Sequence, residues 1–122
     1  MINGKIVFLS NGSSFLTSNC DIAVDKSDKI KGLSGRESVE IPMVFPEEEQ
    51  PFVNYTMKEM ICPIFIMFFN KRLRCSYFRM AFPGEEVFYY GEPIRFVVEC
   101  PSGWGTSYNF KNCEMSLFSS KE

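Results

Sequence analysis

Residues Met60 to Phe69, MICPIFIMFF, make a run of ten positions without a charged or hydrogen-bonding side chain beyond one thiol. A bilayer span needs about 20 apolar residues, so this run cannot cross a membrane and protein must cover it. In strand geometry Ile64, Ile66 and Phe68 point one way while Phe65, Met67 and Phe69 point the other. A strand with one wet face alternates apolar with polar residues, and this one does not. Pro63 is tolerated where it stands, at the start of a strand. The run therefore predicts a central strand that is dry on both sides. The domain can cover both faces itself, with a barrel interior on one side and a helix or hairpin on the other. Alternatively, Phe65, Met67 and Phe69 form a candidate interface with a partner subunit.

Other segments supply the elements for that cover. Lys5–Leu9 and Phe15–Thr17 flank Asn11-Gly12, a strong turn signal, so the chain is expected to open with a hairpin. CDIAVD alternates as a further strand, with Ile22 and Val24 inward. Asp25 or Ser27 can cap a helix, Asp28 suits its positive first turn and Gly35 can end it, giving one short helix near residues 26–35. Met43–Phe45 reads as a strand, followed by an acidic loop at Glu47–Glu49. Val53–Met60, Ile64–Phe69, Leu73–Phe82, Glu86–Tyr90, the segment 93–100 and Cys113–Phe118 follow as strands. In 93–100, Ile94, Phe96, Val98 and Cys100 share one face and Arg95, Val97 and Glu99 the other. The expected fold class is mainly β (α+β): a small antiparallel barrel-like sheet with one short helix. A chain of 122 residues is one domain, 1–122.

The chemistry is narrowed most by an absence: there is no histidine. That removes Ser-His and Cys-His nucleophile pairs and His-ligated metals. The five cysteines, Cys20, Cys62, Cys75, Cys100 and Cys113, show no CxxC pair or zinc spacing and read as reduced thiols. No catalytic residue, metal or cofactor is assigned. A net charge of -2 with interspersed signs argues against a nucleic-acid partner. Only four consecutive apolar residues stand near the N-terminus, too few for a signal peptide, so the expected location is intracellular or within a virion.

Several phrases, in order, resemble a known family. KGLSGR (31–36), PMVF (42–45), YTMKEMICPIFIMFFN (55–70) and FVVECPSGW (96–104) are similar to the domain-of-unknown-function 192 family. Gly32, Leu33, Arg36, Met43, Phe45, Met57, Lys58, Pro63, Ile64, Ile66, Glu99 and Gly103 match its pattern. The resemblance spans residues 20–118 and leaves 1–19 as an N-terminal hairpin extension. Three places depart from it: Thr56 stands for Trp, Glu59-Met60 for Asn-Thr, and Phe65 for Asp. The resemblance implies a small, mainly β fold and carries no activity with it.

Within these motifs, Arg36, Tyr55, Lys58, Glu99 and Trp104 form a candidate pocket. Ion pairing or exposure is the plainer expectation for Arg36, Lys58 and Glu99, and plugging of a barrel end for Trp104. With 13 Phe and no catalytic residue types, the chain is expected to be a non-enzymatic structural or interaction module. It would meet a protein partner or further copies of itself in a larger assembly, for instance as a capsid- or tail-associated phage virion protein. The hairpin's free edge would offer strand addition. The alternative is a small-ligand domain for an anion or carbohydrate.

Overall fold

The computed structural model describes residues 1–119, the side chains of Lys26 and Ile30 aside; the last three residues of the expected domain lie outside the described residues. In chain order the elements are β1 (Ile2–Ser10), β2 (Ser13–Ile22), α1 (Lys26–Lys31), β3 (Met43–Thr56), β4 (Ile64–Asn70), β5 (Cys75–Ala81), β6 (Glu86–Pro101), α2 (Trp104–Ser107) and β7 (Glu114–Ser119). The seven strands form one sheet in the order β5-β4-β6-β3-β2-β1-β7. The fold is mainly β, as expected. Every strand pair is antiparallel except a short parallel contact of β2 with β3, at Asp21–Met43 and Ile22–Val44. The sheet does not close through a continuous ladder. Its two edges meet at a single bridge, Arg74 with Glu114, where the Cys75 N–H donates to the Cys113 carbonyl at 2.8 Å.

Local chemistry explains most elements. Asn11 and Gly12 have φ of 52° and 82°, the left-handed pair that a two-residue hairpin turn demands. The Asp25 carboxylate accepts from the Asp28 N–H at 2.8 Å and caps α1. The helix ends at Gly32, three residues earlier than expected, because Gly32 takes a positive φ of 49°. CDIAVD is no separate strand: β2 runs through to Ile22, and Val24 is exposed.

Irregular pairing accounts for three more corrections. The acidic run is no loop, since Glu47–Glu49 lie inside β3 as three residues opposite Arg95 alone. Met43–Phe45 and Val53–Thr56 therefore belong to one long strand. Glu86–Tyr90 and 93–100 are likewise one strand, β6. Arg95 is an extra residue in it, pairing Phe69 with Phe96 but Asn70 with Ile94. That shift moves Ile94 to the face of Val97, opposite Val98 and Cys100. Of the opening hairpin, β1 pairs with β2 on one side and β7 on the other, while β2 meets β3 only through Asp21 and Ile22.

Strand β4 lies between β5 and β6, dry on both sides. Phe65, Met67 and Phe69 sit in a first core cluster with Ile6, Phe8, Val98 and Phe110. Phe8 is its hub, 5.2 Å from Phe110 and 6.3 Å from Phe69 between ring centroids. The candidate interface is thus an interior face, filled by β1, β7 and the α2 segment, and no partner can reach it. Gly105 has to be glycine here, since a Cβ on it would come within 2.8 Å of the Phe65 ring. Ile64, Ile66 and Phe68 join a second cluster with Leu33, Phe45, Met57 and Val87, roofed by the turn after α1. Phe69→Ala is expected to cost about 3–5 kcal/mol, measured as a fall in the urea midpoint. Tyr90→Ala, on an exposed ring, should stay within about 0.5 kcal/mol.

Candidate functional site

The second cluster is covered by the β3–β6 arm, through Val53, Val87, Tyr55 and Tyr89, and by the turns that carry Leu33, Met57 and Met60, and a cavity of about 440 Å³ opens between the turn after α1 and β3. One wall is Lys29 with Lys31, Gly32, Leu33 and Ser34; another is Asn54, Tyr55 and Thr56 of β3. Phe45, Glu47, Glu59, Met60 and Glu99 complete it. Two contacts fix the roof. Leu33 buries its side chain in the second cluster, and the Gly35 N–H donates to the Glu59 carbonyl at 3.1 Å. The backbone of Met57 holds the opposite wall, donating to the Glu85 carbonyl at 2.7 Å and accepting from the Met60 and Gly84 N–H groups.

Glu99 is the unusual group. It stands on central strand β6, with Met43 and Ile66 as its direct neighbours on the flanking strands. The residue is 6% exposed, and no hydrogen bond or ion pair reaches its carboxyl among the described residues. Without donors around it, burial pushes its pKa up to about 8, so the group is mostly protonated at neutral pH. Solvation or ion pairing, the plainer expectation for Glu99, does not hold: the face it shares with Val97 is as dry as the opposite one.

Tyr55 lies beside it, its ring 5.5 Å from Phe45 in an edge-to-face pair. Its hydroxyl donates to Glu47 Oε2, and Glu47 Oε1 accepts from Gln50 Nε2 at 3.1 Å. Burial, followed by the Glu47 and Glu99 charges, raises the phenol pKa, which keeps the hydroxyl a donor. Glu47 reaches Tyr55 because the irregularity in β3 carries it back over its own strand.

Of the five candidate pocket residues, Tyr55 and Glu99 line the cavity and three do not. The Arg36 and Lys58 side chains are exposed outside it. Trp104 belongs to the first cluster, with its ring stacked 6.3 Å from Phe110 and edge-on 5.9 Å from Phe8, closing that end of the sheet. The departures from the family pattern divide as well. Thr56, Glu59 and Met60 line the cavity, while Phe65 packs 5.3 Å from Phe110 on the far side of β4. They do not build one shared pocket. Sequence reasoning missed Lys29, Lys31, Glu47 and Asn54, while Thr56, Glu59 and Met60 stood out only as departures from the family pattern. Among the described residues no group of His, Cys, Asp or Glu is arranged to hold a metal ion, and no helix is long and apolar enough to cross a membrane.

The order of strands and the motifs around this cavity agree with one family, and the chain belongs to it: residues 7–114 match the domain-of-unknown-function 192 family, described as an uncharacterized ACR. The match takes in part of β1, so the opening hairpin is not wholly outside the family pattern. Two crystal structures share the fold. A candidate transcription regulator from Sinorhizobium meliloti 1021 is 20% identical, with a TM-score of 0.80 over 93% of this chain and 92% of that one. A protein of unknown function from Novosphingobium aromaticivorans DSM 12444 is 15% identical, with a TM-score of 0.78 over 92% of this chain and 83% of that one. At such identities the likeness establishes the fold alone. No curated protein matches the sequence.

The buried carboxyl has a measurable consequence. The folded state keeps the Glu99 proton up to about pH 8, whereas an unfolded Glu releases it near 4.5. The associated stability is fully present below pH 4.5 and is lost as pH rises through this window, by at most about 1.4 kcal/mol per unit. Urea titrations at a series of pH values should show the protein losing stability relative to Glu99→Gln from pH 5 to pH 8, with the difference levelling above that.

Proposed function

We propose that the domain is a non-enzymatic binding module whose working feature is the cavity beneath α1. The observation that carries this reading is Glu99, a buried carboxyl without a partner that opens into the cavity. A fold optimised only for stability has no reason to keep an unpaired ionisable group in an apolar core, since burying it costs several kcal/mol. The cavity volume falls within the usual range for small-molecule sites, and its few polar groups converge from three elements over apolar walls. The chemistry on its walls supports binding over turnover. Tyr55 is engaged with Glu47, and neither it nor Glu99 is paired with a nucleophile.

The test is an amide-detected NMR titration of the full chain with a fragment set. Binders are expected to shift the amides of Leu33, Tyr55, Thr56 and Glu99 together. Ser34→Trp, a substitution at an exposed position on the wall, should abolish those shifts while leaving the fold intact. Shifts confined to other regions, or none at all, refute the cavity as a binding site.

The assembly role expected from the sequence retains one specific support, on a different surface. Phe52, Phe88 and Tyr90 are 47%, 56% and 80% exposed and lie together on the outer face of the β3–β6 arm, with Phe52 6.1 Å from Phe88 and 6.4 Å from Tyr90. Contiguous exposed rings of this kind suit a protein partner, whether a second copy or a subunit of a larger particle such as a virion. Light scattering on the purified protein should give a mass above one chain, returned to one chain by replacing all three rings with Ser. A strict monomer before substitution counts against self-assembly.

A further inference from the structure

We propose that the cavity takes a small organic cation, a primary ammonium compound, with its charged head on the Glu99 carboxyl against the Phe45 and Tyr55 rings. The assignment rests on the binding-module reading and adds the class of ligand.

Three observations select this chemistry. First, Glu99 is the buried carboxyl with lone pairs to offer: Glu47 already accepts from Tyr55 and Gln50, Glu59 is exposed, and nothing reaches Glu99 among the described residues. An ammonium ion there replaces a lost hydration shell with a charge-assisted hydrogen bond. Second, the lining carries three carboxyls, Glu47, Glu59 and Glu99, against the ammonium groups of Lys29 and Lys31 on the exposed helix. An anion placed on the floor would face Glu47 and Glu99 together. Third, Phe45 and Tyr55 bring aromatic surface to the same place, and ring faces attract ammonium groups through their quadrupole. A metal cation is not favoured, because the carboxyls are not grouped closely enough to share one. Lys29 and Lys31 disfavour a second positive charge on the ligand.

The proton balance gives the proposal a signature. Glu99 holds its proton to about pH 8, so an ammonium ligand binds as the carboxyl ionises and the proton leaves to solvent. The groups around Glu99 are Lys29 and Lys31 from α1, Glu47 and Tyr55 from β3, and Glu59 from the turn beyond; Met43 and Ile66 on the flanking strands carry no charge. Affinity should therefore rise by up to about tenfold per pH unit between pH 6 and pH 8 and level off above that.

The full chain is titrated with butylammonium chloride, 1-butanol and sodium butyrate at pH 6 and pH 8, followed by amide NMR and by calorimetry in two buffers of different ionisation enthalpy. The expected result is butylammonium binding that shifts Tyr55 and Glu99, is at least tenfold tighter at pH 8, and releases close to one proton at pH 7. In Glu99→Gln both the pH dependence and the proton release should vanish. Proton release is read on the unmodified chain, so the test survives a variant that fails to fold. Butanol or butyrate binding as tightly as butylammonium overturns the cation assignment and leaves the cavity reading standing. Butylammonium binding without proton release overturns it too, as does no binding of butylammonium up to tens of millimolar; the fragment titration then decides the cavity reading separately.

Discussion

Covering both faces of β4 is the constraint on which the rest of this domain depends. Six consecutive apolar side chains, Ile64 to Phe69, cannot be left against water on either side. Each large apolar side chain gains roughly 1.5–3 kcal/mol on burial, so neither face can be left uncovered without a large loss of stability. The two covers differ. On the side of Phe65, Met67 and Phe69 the curled sheet covers itself, with β1, β7 and the α2 segment packed about Phe8 and Phe110. On the side of Ile64, Ile66 and Phe68 the cover is the β3–β6 arm, with Tyr55 and Tyr89 against Phe68, together with the turns that carry Leu33, Met57 and Met60.

The cavity that Glu99 lines lies between the turn after α1 and β3. Strands laid over a sheet interdigitate along their whole length, whereas the turn after α1 reaches the second cluster through the buried Leu33 and the bond from the Gly35 N–H to the Glu59 carbonyl. The carboxyl of Glu99 lies under this looser roof. Its position on a central strand, between Met43 and Ile66, denies it the donors that a strand edge would find. Burial, lack of a partner and openness to a cavity therefore meet at one place, where the turn after α1 covers the second core beside β3. The exposed rings stand on the same β3–β6 arm that supplies Asn54, Tyr55 and Thr56 to the cavity wall, Phe88 pairing with Asn54.

Local signals in the chain were legible where one residue's chemistry decides the outcome. Asn11-Gly12 announced its turn because only such residues accept two left-handed positions, and Asp25 announced a cap because its carboxylate meets an unpaired N–H. The dry character of β4 was plain from its own residues. Tyr55 and Glu99 were identified because they stand in recognisable motifs. The bulge at Arg95 was not legible, because an extra residue in a strand is defined by its partner's register, and it put Ile94 on the wrong face. The three-residue irregularity at Glu47–Glu49 looked like a loop for the same reason. Lys29 and Asn54 carried no signal at all, since each is an ordinary surface residue until the chain folds back beside it.

By itself, then, the sequence determined that the protein is a small, mainly β domain built around a strand dry on both sides, without histidine chemistry. These properties follow from side-chain type and alternation, which are local. The tertiary structure alone decided that Phe65, Met67 and Phe69 face an interior rather than a partner, that Arg36, Lys58 and Trp104 stand apart from Tyr55 and Glu99, and that no ion pair reaches Glu99 among the described residues. A strand's residues state which side chains share a face. Only the segments that cross that face state what they meet there.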